Sequence, residues 1–114
     1  VPDIGLLGME HFCRAIGEVY MSSKLPIIAD ADTCFGEGEM CAKTVWEYNK
    51  AGAAGLHLED QVFPKRCGHL DGKNLISVND MKRKVEICAQ ARDECSNGQF
   101  IICARTDAKG VEGI

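Results

Sequence analysis

A short basic segment with a cysteine at its centre is the feature of this sequence that most directly indicates chemistry. Its residues are Lys65, Arg66, Cys67, Gly68 and His69. A thiol beside three basic side chains is placed to lose its proton, because nearby positive charge stabilises the thiolate. A single cysteine is more often a small core hydrophobe, but this one lies in a polar stretch rather than an apolar run. We therefore predict that Cys67 is a reactive thiol.

Acidic residues stand at the ends of two apolar runs and indicate a metal site. Asp30 and Asp32 flank Ala31 after the first run, and Glu59 follows the second. In an extended chain both aspartates point to the same side, and two like charges held close are costly without a cation between them. Carboxylate oxygens suit a hard divalent cation such as Mg²⁺. The alternative is that these acids are ordinary capping or loop residues.

Two further polar residues accompany apolar runs. Arg105 ends a third run and is followed by Thr106 and Asp107. Its guanidinium offers a fork for a carboxylate, and the alternative is a surface salt bridge. His57 lies inside the second apolar run, and we interpret it as a core histidine rather than a ligand.

The elements that must position these side chains alternate between strands and helices. The predicted strands cover residues 25–29, 53–58 and 100–104. The apolar spacing predicts a first helix around residues 9–20, a second over 39–50 capped by Gly52, and a third that begins at Ser77. The predicted buried stripes are Cys41, Thr44, Val45 and Tyr48 on the second helix, and Met81, Val85, Cys88 and Ala89 on the third.

Strands that are apolar on both faces and alternate with helices are typical of a parallel sheet. A doubly wound sheet and a (β/α)₈ barrel both fit this order. Each strand ends in a charged residue, which favours the barrel, and no G-x-G-x-x-G motif follows any strand. A barrel needs about eight strands and roughly 250 residues. We therefore expect residues 1–114 to form a single partial domain, an internal fragment of a barrel enzyme.

Composition excludes several classes of partner. The chain is 46% hydrophobic and 26% charged, with a net charge of −4. Its basic clusters are short and lack interleaved aromatic residues, so nucleic acid is not expected as a partner. No apolar run approaches the roughly 20 residues that span a bilayer, so no membrane partner is expected either. The seven cysteines form no C-x-x-C pair, so neither a zinc ribbon nor a thioredoxin-like motif is expected. Several of them fall on predicted apolar faces, where a free cysteine behaves as a small hydrophobe, which favours a reducing, intracellular compartment.

Four segments of the chain resemble the isocitrate lyase/phosphoenolpyruvate mutase superfamily. They are Asp30-Ala31-Asp32-Thr33, residues 52–61, Lys65-Arg66-Cys67-Gly68-His69 and Ala104-Arg105-Thr106-Asp107-Ala108. The cysteine segment is typical of the lyase branch, and the likeness is strongest to enzymes that cleave 2-methylisocitrate. Cys34 stands where glycine is common in this family, and the later strands, which carry a further catalytic glutamate, are absent.

The resemblance implies a fold, a metal and roles for individual residues. The fold would be a (β/α)₈ TIM barrel, the metal Mg²⁺ (or Mn²⁺), and the full-length protein a homotetramer. Asp30, Asp32 and Glu59 match metal-site acids, some of which act through water. Cys67 matches the catalytic acid/base, with Arg66 and His69 beside it. The matching substrate-binding positions are Asp3, Lys65, Arg66, Gly68, His69 and Arg105.

The implied activity is cleavage of a carbon–carbon bond in 2-methylisocitrate, which yields pyruvate and succinate in propionate catabolism. The substrate would be a small 2-hydroxy or 2-oxo polycarboxylate, and the compartment the cytoplasm or the mitochondrial matrix. Sibling activities remain open: oxaloacetate hydrolysis, cleavage of 2,3-dimethylmalate or isocitrate, and a phosphonate-directed mutase. A non-catalytic barrel scaffold also remains open. The fragment alone is expected to be inactive.

Overall fold

Helices and strands alternate along the chain in the predicted order. The computed structural model describes residues 4–31, 34–35, 38–60 and 76–106. The elements are α1 (Ile4–Ser23), β1 (Ile28–Asp30), α2 (Glu39–Ala51), β2 (Gly55–Glu59), α3 (Val78–Ser96) and β3 (Ile101–Arg105).

The three strands form one parallel sheet in the order β1-β2-β3. Parallel strands joined by helices cross over with a right hand, so two successive crossovers between neighbouring strands place α2 and α3 on the same face of the sheet. The two helices contact each other along that face, and α1 contacts α2. Leu56 and Leu58 of the central strand are fully buried in this layer. The parallel α/β architecture is therefore confirmed.

Local signals position the helix ends as predicted. The Ser77 hydroxyl accepts a hydrogen bond of 3.0 Å from the backbone N–H of Asp80 and caps α3. Gly52 ends α2 with a φ of 114°, a left-handed conformation that glycine adopts without strain. The predicted stripe of α2 is buried in full: Cys41, Thr44, Val45 and Tyr48.

The buried face of α3 differs from the predicted stripe. Lys84, Cys88 and Ala91 are buried, whereas Met81 and Val85 are only partly covered. The face centred on Cys88 packs against α2, so the residues one turn on either side of Cys88 are covered even though one of them is a lysine. Helix–helix contact, rather than apolar spacing alone, decided which face is buried.

The prediction that all three strands are buried is wrong for β1 and β3 within the described residues. Leu25 is exposed and lies outside β1, Ile28 is 48% exposed, and four of the five residues of β3 are exposed. Both strands are edges of the described sheet, and the helices cover only one of its faces. We call the other face the open face. Among the described helices, none is both long and apolar enough to cross a membrane.

A candidate active site at the carboxyl ends of the strands

Ionisable side chains gather on the open face where the strands end. The register pairs Asp30 with His57 and Glu59 with Arg105. Residues paired across parallel strands share a face, and so do residues two apart along one strand. All four side chains therefore belong to the open face, whereas Leu56 and Leu58 point toward the helices. This arrangement follows from the backbone register and needs no special loop.

Asp30 meets His57 across β1 and β2. Nδ1 of His57 lies 3.6 Å from Oδ1 of Asp30, and both side chains are about two-fifths exposed. The hydroxyl of Tyr48, from α2, donates a 2.9 Å hydrogen bond to the backbone carbonyl of Asp30, and the N–H of Ala31 donates to the carbonyl of His57. These bonds fix the end of β1. The interpretation of His57 as a core histidine is wrong, because its side chain belongs to the open face.

Glu59 and Arg105 form a second pair, across β2 and β3. The side chain of Glu59 is only 4% exposed, and its Oε2 lies 3.9 Å from Nε of the half-exposed Arg105. A carboxylate removed from water is costly unless a positive charge or hydrogen bonds compensate it. Arg105 supplies positive charge on the solvent side of this carboxylate. The pair can accept an anionic group at the guanidinium and a cation at the carboxylate.

Asp60 and Thr106 connect the same two strand ends. The Thr106 hydroxyl donates a short hydrogen bond to Oδ2 of Asp60, and the backbone carbonyl of the buried Asp60 accepts a 2.7 Å bond from the N–H of Ile76. Asp60, Thr106 and Tyr48 were not among the predicted site residues, and Tyr48 was predicted only as part of the buried stripe of α2. Adjacency to Glu59 and Arg105 was the only available signal for the first two.

The predicted site residues divide into two groups. The structure brings Asp30, Glu59 and Arg105 together on the open face. The other predicted site residues lie outside the described residues: Asp3, Asp32, Lys65, Arg66, Cys67, Gly68 and His69.

A cavity of about 450 Å³ adjoins these strand ends but lies on the other side of the sheet. Its lining residues include Met81, Val85, Ala104, Asp60 and Arg105. Ala104 alternates with Arg105 and therefore faces the helix side. The cavity is an apolar space between α3 and β3, and Asp30 and Glu59 do not line it.

Comparisons with known proteins agree with this fold. Residues 1–112 match the family model described as phosphoenolpyruvate phosphomutase. The chain is 50% identical over 114 residues to a Corynebacterium glutamicum protein named "Probable 2-methylisocitrate lyase 2", covering 100% of this chain and 36% of that protein. It is 42% identical over 113 residues to the 2,3-dimethylmalate lyase of Eubacterium barkeri, covering 99% and 38%.

A solved structure of oxaloacetate acetylhydrolase bound to 3,3-difluorooxalacetate superposes with a TM-score of 0.84 at 33% identity. That match covers 93% of this chain and 36% of the solved chain. The chain thus spans about a third of the length of the relatives it matches. The family match over nearly the whole chain, the identity to named lyases and the shared parallel α/β fold lead to one conclusion: the chain belongs to the phosphoenolpyruvate mutase/isocitrate lyase superfamily.

Proposed function

We propose that the complete protein containing this chain is a Mg²⁺-dependent carbon–carbon lyase that cleaves 2-methylisocitrate to pyruvate and succinate. The observation that carries the proposal is the 50% identity, over the whole chain, to a protein named as a 2-methylisocitrate lyase. The Lys65–His69 segment supports it, because a thiol among basic side chains suits proton transfer to carbon.

The acids of the open face fit a magnesium ion. Asp30 and Glu59 end adjacent strands, and their carboxylates belong to one face. Mg²⁺ usually keeps several waters and takes only one or two protein carboxylates. The exposed Asp30 suits direct or water-mediated contact, and the buried Glu59 suits orientation of a bound water. Asp32 would complete this set. When bound, the ion would polarise the hydroxyl and carboxylate of the substrate as a Lewis acid.

The remaining residues of the site have roles that follow from their chemistry. Arg105 would bind a substrate carboxylate through its guanidinium. The ion pair with the buried Glu59 would hold that guanidinium in place. Arg66 and His69 would stabilise negative charge that develops as the carbon–carbon bond breaks. Cys67 would give its proton to the succinate carbanion and, in the reverse direction, its thiolate would remove that proton.

The described sheet would form one arc of a (β/α)₈ barrel in the complete protein. Its strands are consecutive and parallel, its helices lie on one face, and its charged residues stand at the carboxyl ends, where barrel enzymes place their chemistry. The open face would then become the barrel interior. We expect the complete protein to be a homotetramer, as the resemblance implies.

A sibling activity is the second candidate. The chain is 42% identical to a 2,3-dimethylmalate lyase and has the fold of an oxaloacetate acetylhydrolase. These activities would use the same acids and the same thiol. Residues that distinguish the substrates would lie in other parts of the complete protein.

The test measures product release by the complete protein with Mg²⁺ on four substrates in parallel: 2-methylisocitrate, isocitrate, 2,3-dimethylmalate and oxaloacetate. Pyruvate from 2-methylisocitrate, well above the turnover of the others, is the expected result. Propionate with pyruvate from dimethylmalate, or acetate with oxalate from oxaloacetate, would assign a sibling activity instead. No turnover of any of the four would contradict the lyase proposal and favour a scaffold.

A further inference from the structure

Three cysteines from separate elements meet in the core beneath the candidate active site. Cys34 follows β1, Cys41 lies in the first turns of α2, and Cys88 lies in the middle of α3. Each is fully buried, and their three Sγ atoms lie within 4.8 Å of one another. The Sγ atoms of Cys34 and Cys88 are 3.9 Å apart. We call these residues the thiol cluster. Neither the proposed reaction nor the sequence analysis gives the cluster a role.

We propose that the thiol cluster binds one soft, closed-shell metal ion, with Cu(I) as the ion that fits it. Three sulfurs placed about 2.3 Å from a central ion lie about 4 Å from one another, close to the separations observed. Thiolates select soft ions such as Cu(I) and Zn²⁺ over Mg²⁺. Zn²⁺ in structural sites is almost always four-coordinate, and within the described residues the cluster offers three ligands. Cu(I) is stable with three.

The backbone at Cys34 is the second observation. Cys34 has a φ of 63°, in the left-handed region that costs a residue with a side chain about 1 kcal/mol or more. Glycine would adopt this conformation without strain. The fold instead places a cysteine there and turns its thiol toward two others. Phe35, the next residue, has a similar φ of 61°, so the turn after β1 holds two neighbouring residues in this region. Backbone strain of this kind is often retained where a side chain has a function.

The three thiols of the cluster shift one another's pKa values. Hydrogen bonds from Cys34 and Cys88, together with the positive charge of the buried Lys84, lower the pKa of the Cys41 thiol to about 4, against the opposing effect of burial. The hydrogen bonds of Cys34 with Cys41 and Cys88, together with burial, raise the pKa of Cys34.

A cavity lies beside residues that neighbour the cluster in the sequence. This cavity of about 400 Å³ lies between the start of α2 and α3, and Gly38, Lys84 and Ile87 are among its lining residues. The N–H of Cys41 donates a 3.0 Å hydrogen bond to the carbonyl of Gly38, so the cavity reaches the turn that carries this thiol. Ile87 precedes Cys88 in the sequence. The cavity thus borders residues next to two of the cysteines, whereas the three thiols themselves are fully buried and do not line it.

The test is a competition for Cu(I) between the complete protein and a coloured Cu(I) chelator, without oxygen. Cys34→Gly removes one ligand and relieves the backbone strain, so this variant is expected to fold. Cys88→Ser removes a second ligand at nearly constant volume. Cys95→Ser is the matched control, because Cys95 lies on the same helix two turns away and outside the cluster.

The unmodified protein and Cys95→Ser should each bind one Cu(I) tightly, and X-ray absorption should find three sulfurs around it. Both cluster variants should bind more than about 100-fold more weakly, since loss of a ligand exceeds the tenfold to hundredfold effect of outer partners. Cu(I) should also raise the thermal unfolding temperature of the control but not of Cys34→Gly. Equal affinity in all four proteins, or no tight site in the unmodified protein, would overturn the proposal and leave the thiols as core packing. Tight binding of Zn²⁺ but not Cu(I) would overturn the choice of ion.

Discussion

The ionisable residues of the candidate site form two pairs. Asp30 faces His57, and the buried Glu59 lies beside Arg105. A carboxylate with a cationic partner on one side can still accept water or a metal ion on the other. In the proposed function Glu59 serves the metal site and Cys67 transfers the proton, and one substitution at each residue tests its task.

The first concerns Glu59, which would orient the metal site. Glu59→Gln keeps the shape of the side chain and removes its charge, so the Mg²⁺ concentration for half-maximal lyase activity should rise by about tenfold to a hundredfold. A Mg²⁺ titration of the complete protein measures this. Glu18→Gln on the exposed side of α1 is the control and should change nothing. An unchanged Mg²⁺ requirement in Glu59→Gln would remove Glu59 from the site.

The second concerns Cys67, the proposed proton donor. Cys67→Ser should abolish turnover while leaving substrate binding intact, because a hydroxyl is a far weaker acid than a thiol and is no substitute in proton transfer to carbon. Steady-state kinetics and direct binding measurements on the complete protein separate the two effects. Cys95→Ser controls for the loss of a thiol elsewhere. Near-normal turnover in Cys67→Ser would be incompatible with its role.

At the scale of elements, the stability of the sheet depends on a close approach of its strands at one glycine. Gly55 begins the central strand, and a Cβ placed there would lie 2.7 Å from the carbonyl oxygen of Ile101 and 2.9 Å from Cδ1 of Ile28. Ile28 and Ile101 therefore leave no room for a side chain at Gly55, at the amino ends of the strands.

Gly55→Ala should therefore destabilise the fold by about 1–3 kcal/mol, the cost of overpacking a site with backbone on one side. Gly17→Ala is the matched control: its new methyl would meet only the carbonyl oxygen of Ala51, at 3.9 Å, and lies within α1. That change should stabilise by about 0.5–1 kcal/mol, because alanine is the better helix former. Denaturant unfolding of both variants measures the change in the free energy of unfolding, which should be negative for Gly55→Ala and positive for Gly17→Ala. Equal effects would refute the close-approach argument.

At the scale of the whole molecule, the sheet has a covered face and an open one. The helices bury Leu56 and Leu58 on one side, while Ile28 and Ile101 remain about half exposed on the other. Apolar groups thus lie at the amino end of the open face and charged groups at its carboxyl end. Exposed apolar surface of this kind usually marks contact with further protein.

The open face gives a prediction for the chain prepared alone. It should bind an apolar dye such as anilinonaphthalene sulfonate, and the double variant Ile28→Thr/Ile101→Thr should bind less, because the dye requires a contiguous apolar surface. Val19→Thr, an exposed position on α1, serves as the control and should leave the fluorescence unchanged. In the complete protein the dye signal should be absent. Equal fluorescence from the chain and the double variant would show that the open face is not the binding surface.

The sequence by itself determined what depends on spacing along the chain. The order of helices and strands, the Ser77 and Gly52 caps and the buried stripe of α2 follow from local periodicity and from which residues tolerate a cap. The sequence also predicted that charged residues gather at one edge of the sheet, because parallel strands place their carboxyl ends at one edge. The roles of Asp32 and of the Lys65–His69 segment stay predictions.

The tertiary structure alone decided what depends on packing between elements. Two of these features join residues far apart in the chain: the contact of His57 with Asp30, and the thiol cluster of Cys34, Cys41 and Cys88. The burial of Lys84 is a third feature that depends on packing. Local patterns carry no information about the rotation of one helix against another. That rotation is fixed by how α2 and α3 fill the space above the sheet, and it determines which side chains face each other.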